Sequence, residues 1–147
     1  MSATGLPIFD KTLHETNSWL RELMDQLHTD DRQAAYLVLR ATLHALRDRI
    51  GPENAVHLGA QLPTLLRGVY YEGWKMTRPA SRDRSEQEFL EHVYAQFPPQ
   101  LILDGERAVR AVFEVLWKKI AEGEILKIVH LLPAELRDLW PWVAKES

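Results

Sequence analysis

The 147-residue chain is predicted to be an all-α protein: a duplicated helical unit whose two pseudo-symmetric four-helix halves pack as one compact domain. Three observations lead there. Apolar residues recur at steps of three and four almost throughout, and no segment sustains strand-like alternation with turn signals at both ends. Residues that open and end helices fall between those stretches. Finally, the motif LPxxLR occurs twice, at Leu62–Arg67 and Leu132–Arg137, seventy residues apart.

The elements follow in order. Thr12 and Glu15 have the spacing of a capping box, so a first helix is expected after Thr12. Leu20, Leu23, Met24 and Leu27 mark its apolar face, widened by Trp19. A second helix is expected near Asp30, with Gln33 placed to return the capping contact, and it presents Tyr36, Leu39, Leu43, Leu46 and Ile50. Gly51-Pro52 ends it, because Gly tolerates a left-handed backbone and Pro suits the first position of the next helix. The third helix carries Ala55, Val56, Leu58, Gly59 and Leu62, and Pro63 then breaks the chain and opens TLLRGVYYEGW. WKMTRPASRDRS is polar, contains Pro and lacks apolar period, so it reads as a linker. Ser85 and Glu88 form another capping box before Phe89, Leu90, Val93, Tyr94 and Phe97. PPQLILDG connects to a helix carrying Val109, Phe113, Leu116 and Ile120, followed by Ile125, Ile128, Val129 and Leu132, then Pro133 and AELRDLW.

Sliding the chain by seventy residues brings the halves into register without a gap. Arg40 falls on Arg110, Ala41 on Ala111, Leu46 on Leu116 and Ile50 on Ile120. Eight of the 33 positions from Val38 to Tyr70 are identical, and the matches sit where packing and chain breaks dictate the residue. This spacing reads as an internal duplication, residues 16–74 and 86–144 joined by a linker at 75–85. Within LPxxLR the Pro redirects the chain and the two Leu re-enter the core, so the motif is structural. Arg67 and Arg137 are expected at the edge of that packing, against a helix end or a carboxylate of the same chain.

Composition narrows the function. Hydrophobic content of 46% is ordinary for a globular chain, and the net charge of −3 is dispersed, giving no reason to expect a membrane surface or nucleic acid. No apolar run approaches a membrane span, and the N-terminal MSATGLPIFDK lacks the pattern of a signal peptide, so a cytoplasmic location is expected. Without Cys there is no disulfide framework, thiolate metal site or thiol nucleophile.

The halves differ most after the aligned block. The first ends in Tyr70-Tyr71-Glu72-Gly73-Trp74, the second in Trp140-Pro141-Trp142-Val143-Ala144. Two phenols, a carboxylate and an indole within five residues can form a recognition surface, which assigns Tyr70, Tyr71, Glu72 and Trp74 as candidate binding residues. The other reading is that these rings plug the end of each half, for which Trp140 and Trp142 speak. Lys75, Arg78, Arg82 and Arg84 against Asp83 read as a solvated linker, since no base-stacking aromatics are interleaved. The histidines offer two helical pairs, Glu53 with His57 and His44 with Asp48, but neither HExxH nor a repeated ligand set is present, so no metal is expected. GxGxxG, GxxxxGK[ST] and GxSxG are absent too, and no cofactor or catalytic residue is assigned.

The stretches TGLPIFDKTLHETNSWL, ATLHALRDRI, AVHLGAQLPTLLRGVYYEGW and LLPAELRDLWP resemble the bacterial family called domain of unknown function 2267. The resemblance runs from Thr4 to Pro141, and its most specific part, LGAQLPxLLRGxYYEGW, is carried by Leu58–Trp74. It implies a compact all-α bacterial protein and no particular reaction. Three functions follow as expectations. The leading one is a non-enzymatic module that binds a protein partner or self-associates through Tyr70–Trp74. The alternative is a small-ligand or lipid-binding domain, with an apolar cavity between the halves closed by the Tyr and Trp ends. The last is an enzyme using His57 with Glu53, or the Tyr70–Glu72 region, for acid–base work.

Overall fold

A computed structural model describes residues 2–146, with side chains through residue 144. Its elements are all helices: α1 (Pro7–Leu27), α2 (Arg32–Arg49), α3 (Pro52–Gly59), α4 (Thr64–Tyr71), α5 (Glu86–Tyr94), α6 (Gly105–Lys119), α7 (Glu122–Leu131), α8 (Ala134–Arg137) and α9 (Trp142–Glu146). No strand occurs among the described residues, and no helix is long and apolar enough to cross a membrane.

Helix α1 begins earlier than the capping box suggests. Pro7 takes the first helical position, and the Leu6 carbonyl receives the amides of Phe9 and Asp10. The Asp10 carboxylate then ties back the Thr4 amide at 3.0 Å, so the preceding turn is folded onto the helix start. Thr12 therefore lies inside α1. Its hydroxyl still satisfies an orphan helix amide, but that of Leu65 in the first turn of α4, at 2.8 Å. Thr12 is a cap supplied by one helix to another.

The other expected starts lie within a residue of where they were placed. Asp31, rather than Asp30, caps α2 through the Ala34 amide at 3.0 Å. Gly51 has φ +85°, and Pro52 follows as the first residue of α3. Ser85 and Glu88 form a complete capping box on α5. Asp104 caps α6 by accepting from the Glu106 and Arg107 amides. Helix α4 stops at Tyr71, short of the Trp74 expected from its run, because Gly73 turns the chain at φ +73°. Helix α9 was not expected.

Helices α2 and α6 pack on each other at the centre. Helix α1 lies against α2, α4 and α6, while α5 lies against α2, α6 and α8. Helix α3 joins α2 and α4 to α7, and α9 covers α7. Leu23, Leu39, Leu43, Leu46, Val109, Phe113 and Leu116 form the interior. Because α2 is covered on several sides, residues 41–47 are buried without a break, including Thr42, His44 and Arg47. Tyr94, expected on the apolar face of α5, is instead half-exposed, and its hydroxyl accepts the Gly105 amide at the start of α6.

Both LPxxLR arginines turn back on their own motif. Arg67 Nη2 donates to the Leu62 carbonyl at 3.0 Å and its Nε to Gly59 at 2.9 Å. Arg137 Nε donates to Leu132 at 2.8 Å. The partners are carbonyls left over at the ends of α3 and α7, where a cation is favoured.

Candidate interaction surface

The candidate residues start from the end of α4. Tyr70 has 0% of its surface exposed, and its hydroxyl donates to the Ala55 carbonyl at 2.7 Å. Burial pushes the phenol's pKa well above its ordinary value, so it stays neutral and works as a donor. A recognition surface needs accessible rings, so the assignment of Tyr70 as a contact residue is corrected: it lies in the core. Its neighbour lies beside it on the outer side of α3. Tyr71 meets Tyr70 edge-on at 4.9 Å and stacks on Trp74 at 5.5 Å with 29° between planes. Tyr71 and Trp74 are both half-buried and Glu72 is exposed. A Cβ on Gly59 would overlap the tip of Tyr71, so that glycine lets the ring lie flat on α3.

A polar stripe on α2 holds this end in place. Arg40, His44 and Arg47 are spaced four and three residues apart, on one helical face. Arg47 has 6% exposure, and its Nη1 donates to the Tyr70 carbonyl at 2.8 Å and the Glu72 carbonyl at 3.1 Å. Its Nε pairs with Asp48 at 2.9 Å. His44 Nε2 donates to the Val69 carbonyl at 2.8 Å. Burial first, and then the Arg47 and Arg40 charges, lower the His44 pKa, so its neutral form is favoured. Arg40 grips the Glu72 carboxylate through Nε and Nη2 at 3.1 and 3.0 Å. Arg47 and His44 thus satisfy the carbonyl end of α4, where the helix dipole is negative, and Arg40 holds the carboxylate that follows it. Sequence reasoning missed this stripe. Its legible signal was the three-four spacing of polar residues inside a helix flanked by Leu and Ala.

The other candidates fall elsewhere. His44 and Asp48 were paired by spacing, but each bonds a different partner. Trp140 is buried and stacks on Phe113 at 4.0 Å, whereas Trp142 is 68% exposed. The plug reading therefore describes Tyr70 and Trp140 and does not describe Trp142. The linker is less solvated than its composition suggests. Its Asp83 is buried, with its carboxylate 2.5 Å from His92 Nδ1 and its carbonyl accepting from Arg49 Nε at 2.6 Å. The Ser81 amide donates to the Asp48 carbonyl at 2.7 Å, while Lys75, Arg78, Arg82 and Arg84 remain exposed.

Glu53 and His57 meet at a cavity of about 200 Å³ between α3 and α7. None of Tyr70, Tyr71, Trp74 or Trp140 lines it, unlike the apolar cavity expected behind those rings. A second, apolar cavity of about 260 Å³ lies among α1, α2 and α4, lined by Leu13, Thr16, Leu20, Tyr36, Leu66 and Val69. Among the described residues no three His, Asp or Glu side chains converge as metal ligands.

The family model of an uncharacterized conserved protein, DUF2267, matches residues 16–139. No curated protein matches the chain.

Proposed function

The chain belongs to the DUF2267 family, described only as an uncharacterized conserved protein, and on the geometry of α4 we propose that it is a non-enzymatic helical interaction module that binds a protein partner or a second copy of itself. Its contact surface is centred on Tyr71 and Trp74, with Glu72 at the rim and Tyr70 as the brace beneath. The observation that carries this reading is the stacked, half-buried Tyr71–Trp74 pair, fixed from below by Tyr70 and Arg47. Rigid aromatic anchors lose little entropy on binding and dominate many interfaces. Glu72, already paired with Arg40, adds a screened charge at the edge.

We also infer that the scaffold arose by duplication of a four-helix unit, residues 16–74 and 86–144, related by a pseudo-twofold axis. Element spacing supports it: α3 and α7 start at Pro52 and Glu122, and α4 and α8 start at Thr64 and Ala134, seventy residues apart in both cases. The packing partners also exchange, α1 lying on α6 as α5 lies on α2. Each LPxxLR arginine reaches the carbonyl of its own first Leu.

The test is an affinity capture comparing wild type with Tyr71→Ala/Trp74→Ala, both shown folded by circular dichroism. A protein, or a second copy of the chain, retained by wild type and lost from the variant is the expected result. Identical capture by both baits would remove the aromatic pair from any interface.

A further inference from the structure

We propose that the cleft between α3 and α7 binds a small zwitterion with an apolar body, of the size of an amino acid. The site shares no residue with the Tyr71–Trp74 surface, and neither reading depends on the other. Its floor is aliphatic: Leu58, Ile120 and Ile128, all buried from bulk solvent. Its rim is charged, with Glu53 and His57 one helical turn apart on α3 and Glu124 and Lys127 on α7. An apolar floor with a few polar groups around it is the usual composition of a small-molecule site. At about 200 Å³ the cleft is somewhat larger than the roughly 150 Å³ that accommodates a benzene ring, leaving space for a short charged end.

The charges on the rim are available. Among the described residues neither Glu53 nor His57 has a side-chain hydrogen bond or ion pair that would occupy it. Lys127 reaches Glu124 only at 3.5 Å, with Lys127 exposed and Glu124 partly so, a pair that exchanges readily with water or a ligand. An ammonium therefore finds carboxylates at Glu53 and Glu124, and a carboxylate finds Lys127 and His57. One molecule carrying both charges satisfies both sets, which neither a simple anion nor a simple cation does.

Comparison of positions seventy residues apart sharpens the assignment. The floor keeps its character, Leu58 against Ile128 and Ile50 against Ile120, as packing requires. The rim does not: Asn54 corresponds to Glu124, His57 to Lys127 and Glu53 to Gly123. Two helices meeting on aliphatic residues need no such divergence in order to pack.

The experiment is an amide NMR titration of the full chain with L-phenylalanine, against phenylacetate, phenethylamine and glycine as probes lacking one charge or the apolar body. Saturable shifts confined to α3 and α7 are expected with L-phenylalanine, in the millimolar range that suits so few atoms. Each of the three other probes should bind about tenfold more weakly or not at all, as should L-phenylalanine to Glu53→Gln and Lys127→Gln. Both substitutions change exposed side chains, and circular dichroism checks that the variants stay folded. The absence of saturable shifts, shifts centred on the α1–α4 cavity, equal binding of phenylacetate, or undiminished binding by both variants would each overturn the proposal.

Discussion

Replacing Arg47 by Met keeps the aliphatic bulk inside α2 and removes the guanidinium that ends α4. The cost follows from the three groups it leaves behind. Tyr70's carbonyl is buried with its donor, so it loses a charge-assisted bond outright, about 1.5–3 kcal/mol. Glu72's carbonyl lies nearer the surface and turns to water, so its loss is about 0.5–1 kcal/mol. Asp48 is partly exposed and is rehydrated rather than stranded. The expected destabilisation is about 2–4 kcal/mol, a large share of the roughly 5–15 kcal/mol available to a domain. Urea unfolding at neutral pH, followed by far-ultraviolet circular dichroism, should show a lower midpoint with an unchanged slope. Arg47→Lys should fall between the two, because a single ammonium lacks the fork that spans two carbonyls. A loss below about 1 kcal/mol for Arg47→Met would refute the reasoning that the guanidinium anchors α4, and with it the account of why Tyr71 and Trp74 are held still.

Three further outcomes follow, two of them from the same region. Since the folded pKa of His44 lies below its ordinary 6.5, the folded state binds fewer protons than the unfolded chain. Its stabilising contribution is complete above that value and is lost as the pH falls through it toward the folded pKa. Wild type should therefore lose urea resistance as the pH falls below 6.5, and His44→Gln, which keeps a donor for the Val69 carbonyl but does not titrate, should flatten that part of the curve; equal slopes would assign it to other groups. The carboxylate Glu22, whose pKa is lowered by Lys118, acts in a separate window: its contribution is present above 4.5 and fails only in stronger acid. Gly59→Ala puts a methyl where the tip of Tyr71 lies, with Tyr70 close behind. The half-exposed ring can swing outward, so the expected loss is only about 1–2 kcal/mol in thermal unfolding, accompanied by displaced ring-proton shifts of Tyr71 and Trp74; unmoved shifts would show that the ring does not depend on that glycine.

What could be read in advance was local. Ser85 and Glu88, Gly51-Pro52 and Pro63 act through groups within four residues, so their residue types predict the end of α2 and the starts of α3, α4 and α5 closely. The three-four spacing likewise gives each helix an inward face, and Leu39, Leu43 and Leu46 lie where it points. The spacing does not say what covers the remaining faces. Helix α2 is enclosed by neighbours on several sides, which is why His44 and Arg47 are buried among apolar residues. Adjacent Tyr70 and Tyr71 have the same composition and differ only in which way they leave the helix, one into the core and one over Gly59.

Thr12 shows the division most plainly. Its hydroxyl is a good acceptor for an orphan amide in any context, and that chemistry is legible from the residue alone. Which amide it meets depended on α4 arriving beside α1, fifty-three residues later in the chain. The sequence by itself determined the all-α class, the breaks and caps, and the doubled LPxxLR, because each rests on the backbone's short-range needs. Only the tertiary structure decided which polar groups are shut away from water, how the linker is held by Arg49 and His92, and that Glu53 and His57 share a cleft with Glu124 and Lys127. Burial and encounter are properties of distant segments brought together, and no local pattern encodes them.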